Sequence, residues 1–449
     1  MSEKKTTEVP VVTLKELFNT WWPIAISWFL LAFEPVFLTT VISRYPNAEV
    51  NLAAYGNIAW LIPIVIQSPI MMLQAASAAL CKNLETYKKL RRFADGMAVG
   101  LTLVHMLVVF TPLYFFITET LLNIPREVVD AGRTGLMLML PWNGSIAFRR
   151  YRQGVLVRFG HTRRMSIGTI LRLLTNVVVV TVLSFIGGFS GLVVATAAQG
   201  LAVFAEAVFI GIVVQPIIKS KLQPDGGKDL IGWRNFARYY TPFMINSIIM
   251  IIYNPLNSAA MGRLPFTLAS LATWPVVHGF AFAINNLGQA CRELTLSYFR
   301  KPGVYPVVRK FCTLVGLGCV FIVGLFAFTP LFEWYLNTVV TLPEHLIGYA
   351  KNTIFIMMPL GLTFALTNMY TGIISYNRKT LSLLISTLVQ LTVVITGYSI
   401  AIRFWKGPGI YVVASVSLIS GAVQLLWLIF ANRKYLNADA AAVNGRPVK

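Results

Sequence analysis

Apolar runs of about 20 residues, the length that crosses a bilayer as a helix, recur along the chain with short polar breaks between them. They lie near 21–43, 52–80, 96–117, 134–151, 165–187, 190–216, 240–262, 266–290, 311–332, 347–373, 380–402 and 408–431. The pattern predicts an all-α membrane protein of twelve transmembrane helices, with the second, sixth and tenth long enough to tilt or bend. The opening stretch MSEKKTTEVPVVTLKELFNTWWP is polar and mixes acids with lysines. It lacks a short apolar core followed by a small-residue cleavage site, so no cleaved signal peptide is expected.

The same pattern is written twice. FTPLYFFITETLLNIP (110–125) and FTPLFEWYLNTVVTLP (328–343) begin alike and end on the same proline, 218 residues apart. At that offset Pro141 meets Pro359, Gly154 meets Gly372 and Gly191 meets Gly409. Residues that fix bends and close backbone approach are hard to hold in register by chance. The first two spans of each half match with small shifts, so that Pro35 meets Pro255, Glu34 meets Asn254, and Cys81 pairs with Cys291. The chain therefore divides into a tail (1–20), an N-lobe (21–218), a linker (219–234), a C-lobe (235–432) and a second tail (433–449). Six spans per half is an even number, so the repeats run parallel about an axis along the membrane normal. Two such lobes enclose a central cavity suited to alternating access.

Composition sharpens this. Charged residues make up 12% of the chain, roughly half of what a soluble domain carries. The net charge of +21 comes from 38 lysines and arginines, of which 30 fall on one side if the N-terminus is cytoplasmic. That asymmetry predicts both termini in the cytoplasm and accounts for the charge through anionic lipid. A nucleic-acid partner would need a basic soluble domain, and the pattern leaves room for none. The four cysteines, Cys81, Cys291, Cys312 and Cys319, lie in or beside apolar runs without metal-ligand spacing.

Against this background a few polar positions stand out. FLLAFEPVFL (29–38) sets Glu34 and Pro35 side by side inside the first run. An acid there is costly in lipid and belongs in a cavity lining or an ion pair. Glu34 is expected to couple a cation or set the gating equilibrium; as a structural ion-pair partner it would do neither. Glu206 and Arg172 are also intramembrane, and a structural pair between them is the expectation. PWNGSIAFRRYRQGVLVRFGHTRR (141–164) carries Arg149 and Arg150 on the fourth run. Guanidinium groups there either anchor to lipid headgroups or bind carboxylates and phosphates bidentately. Arg292 is a second such candidate, with Lys82 as its counterpart. Along the eighth run His278, Asn285 and Gln289 are spaced by seven and four, which puts them on one helical face. Gln67 and Gln74 repeat the spacing of seven on the second. No GxxxxGK[ST], HExxH or serine elbow occurs, so no enzymatic activity, cofactor or metal is expected.

Five stretches, LAAYGNIAW (52–60), EPVFLTTVISR (34–44), NPLNSAAMGRL (254–264), WPVVHGFAF (274–282) and RQGVLVRFG (152–160), resemble the progressive ankylosis protein family. That family lies within the superfamily of multidrug, oligosaccharidyl-lipid and polysaccharide exporters, the MOP superfamily to which the MATE transporters also belong. The resemblance runs from Trp22 to about Phe430, and the short tails and clustered basic loops suit a prokaryotic relative in a bacterial inner membrane. It implies a two-lobed, twelve-helix fold with the cavity between spans 1, 2, 7 and 8. It also implies efflux of small polyanions, with citrate, nucleotides and pyrophosphate as candidates. Glu34, Asn254 and His278 fall on the matching motifs.

Together these readings predict a monomeric secondary transporter that exports a polyanion. Arg149, Arg150 and Arg292 would bind the anion, while Asn254, His278, Asn285 and Gln289 orient it. Glu34 would govern H⁺ or Na⁺ coupling or gating. A lipid-linked saccharide flippase and a cation-coupled multidrug exporter of the MATE type are the alternatives.

Overall fold

The computed structural model describes residues 12–224, 232–299, 303–377 and 380–443. The ends of both expected tails and the middle of the expected linker lie outside the described residues. Those described form helices, turns and short connections. Among the described residues nine helices are long and apolar enough to cross a membrane, or ten when Glu344–Met357 and Leu360–Tyr376, bent by 43°, count as one span. The segments expected to span at 134–151 and 240–262 are also helical but are not among them. The helix Leu140–Arg158 that runs through the first carries Arg149, Arg150, Arg152 and Arg158, and the second breaks at Ile252 beside Asn254 and Asn257. The chain is a multi-pass membrane protein.

The helices that shape the site are α1 (Leu14–Ile42), α2 (Leu84–Phe110), α3 (Leu140–Arg158), α4 (Thr162–Ile186), α5 (Gly191–Val213), α6 (Trp233–Ile251), α7 (Tyr253–Arg263), α8 (Thr267–Asn285), α9 (Ala290–Tyr298), α10 (Tyr305–Phe328) and α11 (Leu360–Tyr376). Between α1 and α2 the chain never settles into one helix. It runs Ala48–Ala54, a π-turn at Tyr55–Ala59, Leu61–Ile66, a 3₁₀ turn at Ser68–Ile70, and Leu73–Leu80. Pro63 and Pro69 each remove an N–H from this segment, which prevents a regular ladder of bonds. Asn83 then starts α2 with a reciprocal capping box through Thr86.

The repeat is visible in packing as well as in sequence. A Cβ on Gly154 would lie 2.4 Å from both the Gln74 carbonyl and Ser77 Cβ, and one on Gly372 would lie 2.9 Å from both the Arg292 carbonyl and Thr295 Cβ. Arg292 and Thr295 stand 218 residues after Gln74 and Ser77. The offset of 218 therefore holds through the second span of each half. This corrects the pairings of Cys81 with Cys291 and of Lys82 with Arg292: Leu73 and Gln74 are the counterparts.

Buried apolar residues fall into three clusters, and their membership describes the arrangement of the lobes. The largest joins both lobes at the far end, where α1 finishes, with Ile42, Ile58 and Leu136 from one half and Met261, Val277 and Leu336 from the other. At the near end, where the described chain begins, the clusters separate. One holds N-lobe residues with Phe236 and Tyr240 of α6, and the other holds C-lobe residues with Leu17 of α1. Among the described residues the lobes thus share one apolar core at the far end, while their buried clusters are separate at the near end.

Each lobe also borrows an arm. The near half of α1 lies on the C-lobe, where Trp21 Nε1 donates to the Leu287 carbonyl at 3.2 Å and Trp28 Nε1 to Glu293 at 3.3 Å. The near half of α6 lies on the N-lobe, where Tyr240 donates to the Pro69 carbonyl at 2.7 Å and Phe236 packs edge-on to Phe93. The two exchanges are related by the repeat.

Candidate functional site

Glu34 sits on the far side of the middle of α1 and is 2% exposed. α1 packs mainly on the C-lobe, on α8 and the segment that follows it, and this carboxylate ties it to the N-lobe. Arg172 of α4 grips it with two parallel bonds, Nε to Oε1 at 3.0 Å and Nη2 to Oε2, and Asn176 Nδ2 adds a third at 2.7 Å. The positions 172 and 176 are one turn apart and so present both donors to the same side. Arg172 Nη1 also lies 3.7 Å from Glu206 of α5. Glu206 is fully buried and takes bonds from Arg149 Nη1 and, at 3.4 Å, from Gln153 Nε2, both on α3. Tyr55, in the π-turn, is buried beside this group and donates to Gln199 at 3.2 Å. Two acids and two arginines from four helices therefore form one alternating chain, Glu34–Arg172–Glu206–Arg149, in which the charges cancel.

This arrangement departs from the expected pairing in one respect. Arg172 and Glu206 do approach each other, but the bidentate partner of Arg172 is Glu34, and Arg149 supplies the close contact to Glu206. Spacing along the sequence gives no hint of it, because the partners are 138 and 57 residues apart. Asn176 and Gln153 were likewise not singled out by the sequence. Their one clue is that each follows an arginine by four residues.

The other expected residues are distributed as follows. Arg150 is half-buried on α3, and Nη2 reaches only the Met71 sulfur at 3.6 Å, while Nε is buried without a partner. Arg292 is half-buried on α9 and has no carboxylate within salt-bridge distance among the described residues. The neighbouring Glu293 is engaged by Trp28. His278 is half-buried on α8 and stacks between Trp274 and Phe282, with ring centroids 4.9 and 5.7 Å away. Gln289 is half-buried at the end of the Asn286–Gln289 3₁₀ turn. Asn254 stands at the knee between α6 and α7, its Nδ2 3.4 Å from the Ile251 carbonyl. Asn285 turns away from the space between the lobes: it is 7% exposed, and its Oδ1 lies 2.9 Å from where a Gly361 Cβ would be on α11. Its counterpart Gln67 is buried in the same sense and accepts from Trp142 at 3.0 Å.

The far end is sealed largely by side chains bonded to main-chain carbonyls of the opposite lobe. Arg44 Nη2 donates to the Val339 carbonyl at 2.9 Å and Arg263 Nη2 to the Thr120 carbonyl at 3.1 Å. Ser43 donates to the Val340 carbonyl and Asn123 to that of Gly262. Deeper in, Asn57 Nδ2 reaches the Leu271 carbonyl at 2.9 Å while its Oδ1 accepts from Ser258 at 2.7 Å. His345 and Glu49 complete the rim at 2.9 Å.

No family model matches the chain, and no curated protein does. Solved structures do. A multidrug resistance MATE-family transporter of the MOP superfamily in an inward-facing conformation aligns with a TM-score of 0.70 at 15% identity, covering 96% of this chain and 99% of that one. An outward-facing structure of that kind gives 0.58 at 16% identity, covering 95% and 97%. A MOP-superfamily transporter from Pyrococcus furiosus, described as having a binding pocket of reverse polarity, gives 0.62 at 15% identity and covers 96% and 97%. The all-helical chain has the fold of the MATE transporters.

Proposed function

We propose that the chain is an alternating-access secondary transporter that moves small organic or inorganic polyanions, such as a citrate-like carboxylate, pyrophosphate or a nucleotide, through the space between its lobes. One observation carries this reading. Once Glu34, Arg172, Glu206 and Arg149 have cancelled, Arg150 and Arg292 remain half-buried on opposite lobes with no carboxylate bonded to them among the described residues. A half-buried guanidinium with a thioether as its acceptor offers several N–H groups to an incoming carboxylate or phosphate. The same bookkeeping disfavours a cationic drug at the N-lobe acids, because Glu34 and Glu206 already hold arginines.

In this reading the near end is cytoplasmic, so the described state takes up anion from the cytoplasm for export across a bacterial inner membrane. His278 in its aromatic stack and Gln289 would orient the anion, with Asn254 at the α6–α7 knee sensing its arrival. Glu34 would act on gating, since it ties the shared helix α1 to the N-lobe.

The test is counterflow of labelled citrate into proteoliposomes, with pyrophosphate and a nucleotide as competitors. A charged hydrogen bond is worth about 1.5–3 kcal/mol, so Arg150→Gln and Arg292→Gln should each raise the half-saturating concentration roughly 10- to 100-fold. Saturable counterflow unaffected by both substitutions would remove these arginines from the site. No counterflow of any of the three anions by folded protein would move lipid-linked saccharides to the front.

A further inference from the structure

We propose that Arg172 is a built-in counter-cation: it fills the place between Glu34 and Glu206 that a coupling ion would need, so anion movement is not linked to Na⁺ or H⁺ through the N-lobe acids. The transporter would then run as an anion exchanger or on the gradient of the anion itself. This rests on the anion-transport reading and adds its energetics.

The geometry points this way on three counts. All three guanidinium nitrogens of Arg172 are directed at carboxylates, two at Glu34 and one at Glu206. Every carboxylate oxygen is met by a protein donor: Glu34 by Arg172 and Asn176, Glu206 by Arg149 and Gln153. A hard cation needs several oxygen ligands turned towards it, and none of these four is free to turn. It would also have to sit within a few ångströms of a positive guanidinium in a medium where that repulsion is weakly screened.

A proton fares no better. Neutralising Glu34 leaves the Arg172 charge buried with a single remaining acid, which it must share with Arg149. Other groups facing Glu34 do not offer an alternative carrier. The Tyr55 hydroxyl is committed to Gln199, and on the C-lobe side Gly279 of α8 lies against Val36, with no charged C-lobe side chain bonded to Glu34.

The repeat supplies an independent argument. At the C-lobe positions that match Glu34, Arg149, Arg172 and Glu206 stand Asn254, Thr367, Gln390 and Gln424. All four charges are absent there together. An acid kept to bind an external cation would not need its own arginine; a self-neutralising set is present or absent as a whole.

Three measurements decide the matter, one with substrate and two without. Citrate accumulation into proteoliposomes should be unchanged when an inward or outward Na⁺ or pH gradient is imposed or collapsed. In detergent, the Tm of the purified protein should be the same in Na⁺ as in K⁺. An infrared carboxylic acid band that Glu34→Gln removes should not appear as the pH is lowered from about 8 to 5, the range in which physiological switches titrate. A sodium-specific rise in Tm, or that acid band, would overturn the proposal whether or not citrate proves to be the substrate. Gradient-driven accumulation lost on Glu34→Gln would overturn it too, while leaving the anion reading intact. Should Glu34→Gln fail to fold, Glu34→Asp shifts rather than removes the band and serves the same assignment.

Discussion

Arg172→Met is expected to cost about 3–5 kcal/mol of stability, the range for removing one partner of a buried ion pair. It is the largest loss we expect from any single side chain in the N-lobe. The substitution keeps an unbranched apolar stem but takes away the guanidinium, and with it both bonds to Glu34 and the charge beside Glu206. Two carboxylates would then share Arg149, and Glu34 would keep Asn176 alone. Glu34→Leu combined with Arg172→Met should be milder than Arg172→Met by itself, because no charge is left stranded. Thermal unfolding of the four members of that double-mutant cycle measures the coupling directly. Additive effects would mean that the pair is not the unit the geometry makes it.

Gly262→Ala is expected to open the far-end seal. A Cβ at that position would stand 2.2 Å from the Leu122 carbonyl oxygen and 2.7 Å from that of Asn123. Both obstacles are backbone, in the turn after the Phe116–Leu121 π-helix, where Asn123 already has φ of 55°. Neither can give way as a flexible side chain would. The Asn123–Gly262 bond should be lost with the close approach, and the Arg263–Thr120 bond weakened. If the far end loses even about 1.4 kcal/mol relative to the open form, exposure from that side rises roughly tenfold. Labelling of Ser258→Cys by a membrane-impermeant maleimide added to the far side reads this out, since Ser258 is 4% exposed behind the seal. Equal labelling rates with Gly and Ala would show that the seal is held elsewhere.

How much of this could be read from the sequence follows from what each feature depends on. The spans and the repeat depend on apolar length and on prolines and glycines, which are local, and Gly154 and Gly372 carried the offset into the packing unchanged. The second-span pairing went astray because matching cysteines outweighed register in a segment whose π and 3₁₀ turns break the helical count. The spacing of seven and four that joined His278, Asn285 and Gln289 assumed one unbroken helix, and the 3₁₀ turn at Asn286–Gln289 ends it. Asn285 then finds room in the C-lobe that Gly361 leaves open. That Glu34 sits away from lipid was legible, since an acid and a proline together are tolerated there only inside protein. Its partner was not, because an ion pair across 138 residues is set by which helices become neighbours. Arg149 and Arg150 are adjacent in sequence and equally basic. A helical turn of about 100° between them sends one to Glu206 and leaves the other beside Met71.

The exchange of α1 and α6 between the lobes also fixes an order of events during synthesis. Leu17 waits for Cys291, Leu294 and Val308 before its side chain can be buried, and the cluster around Tyr87 and Tyr151 stays incomplete until Phe236 and Tyr240 emerge. The N-half cannot finish its core as it leaves the ribosome, and α1 must be held at the membrane while some 270 residues after Leu17 are added.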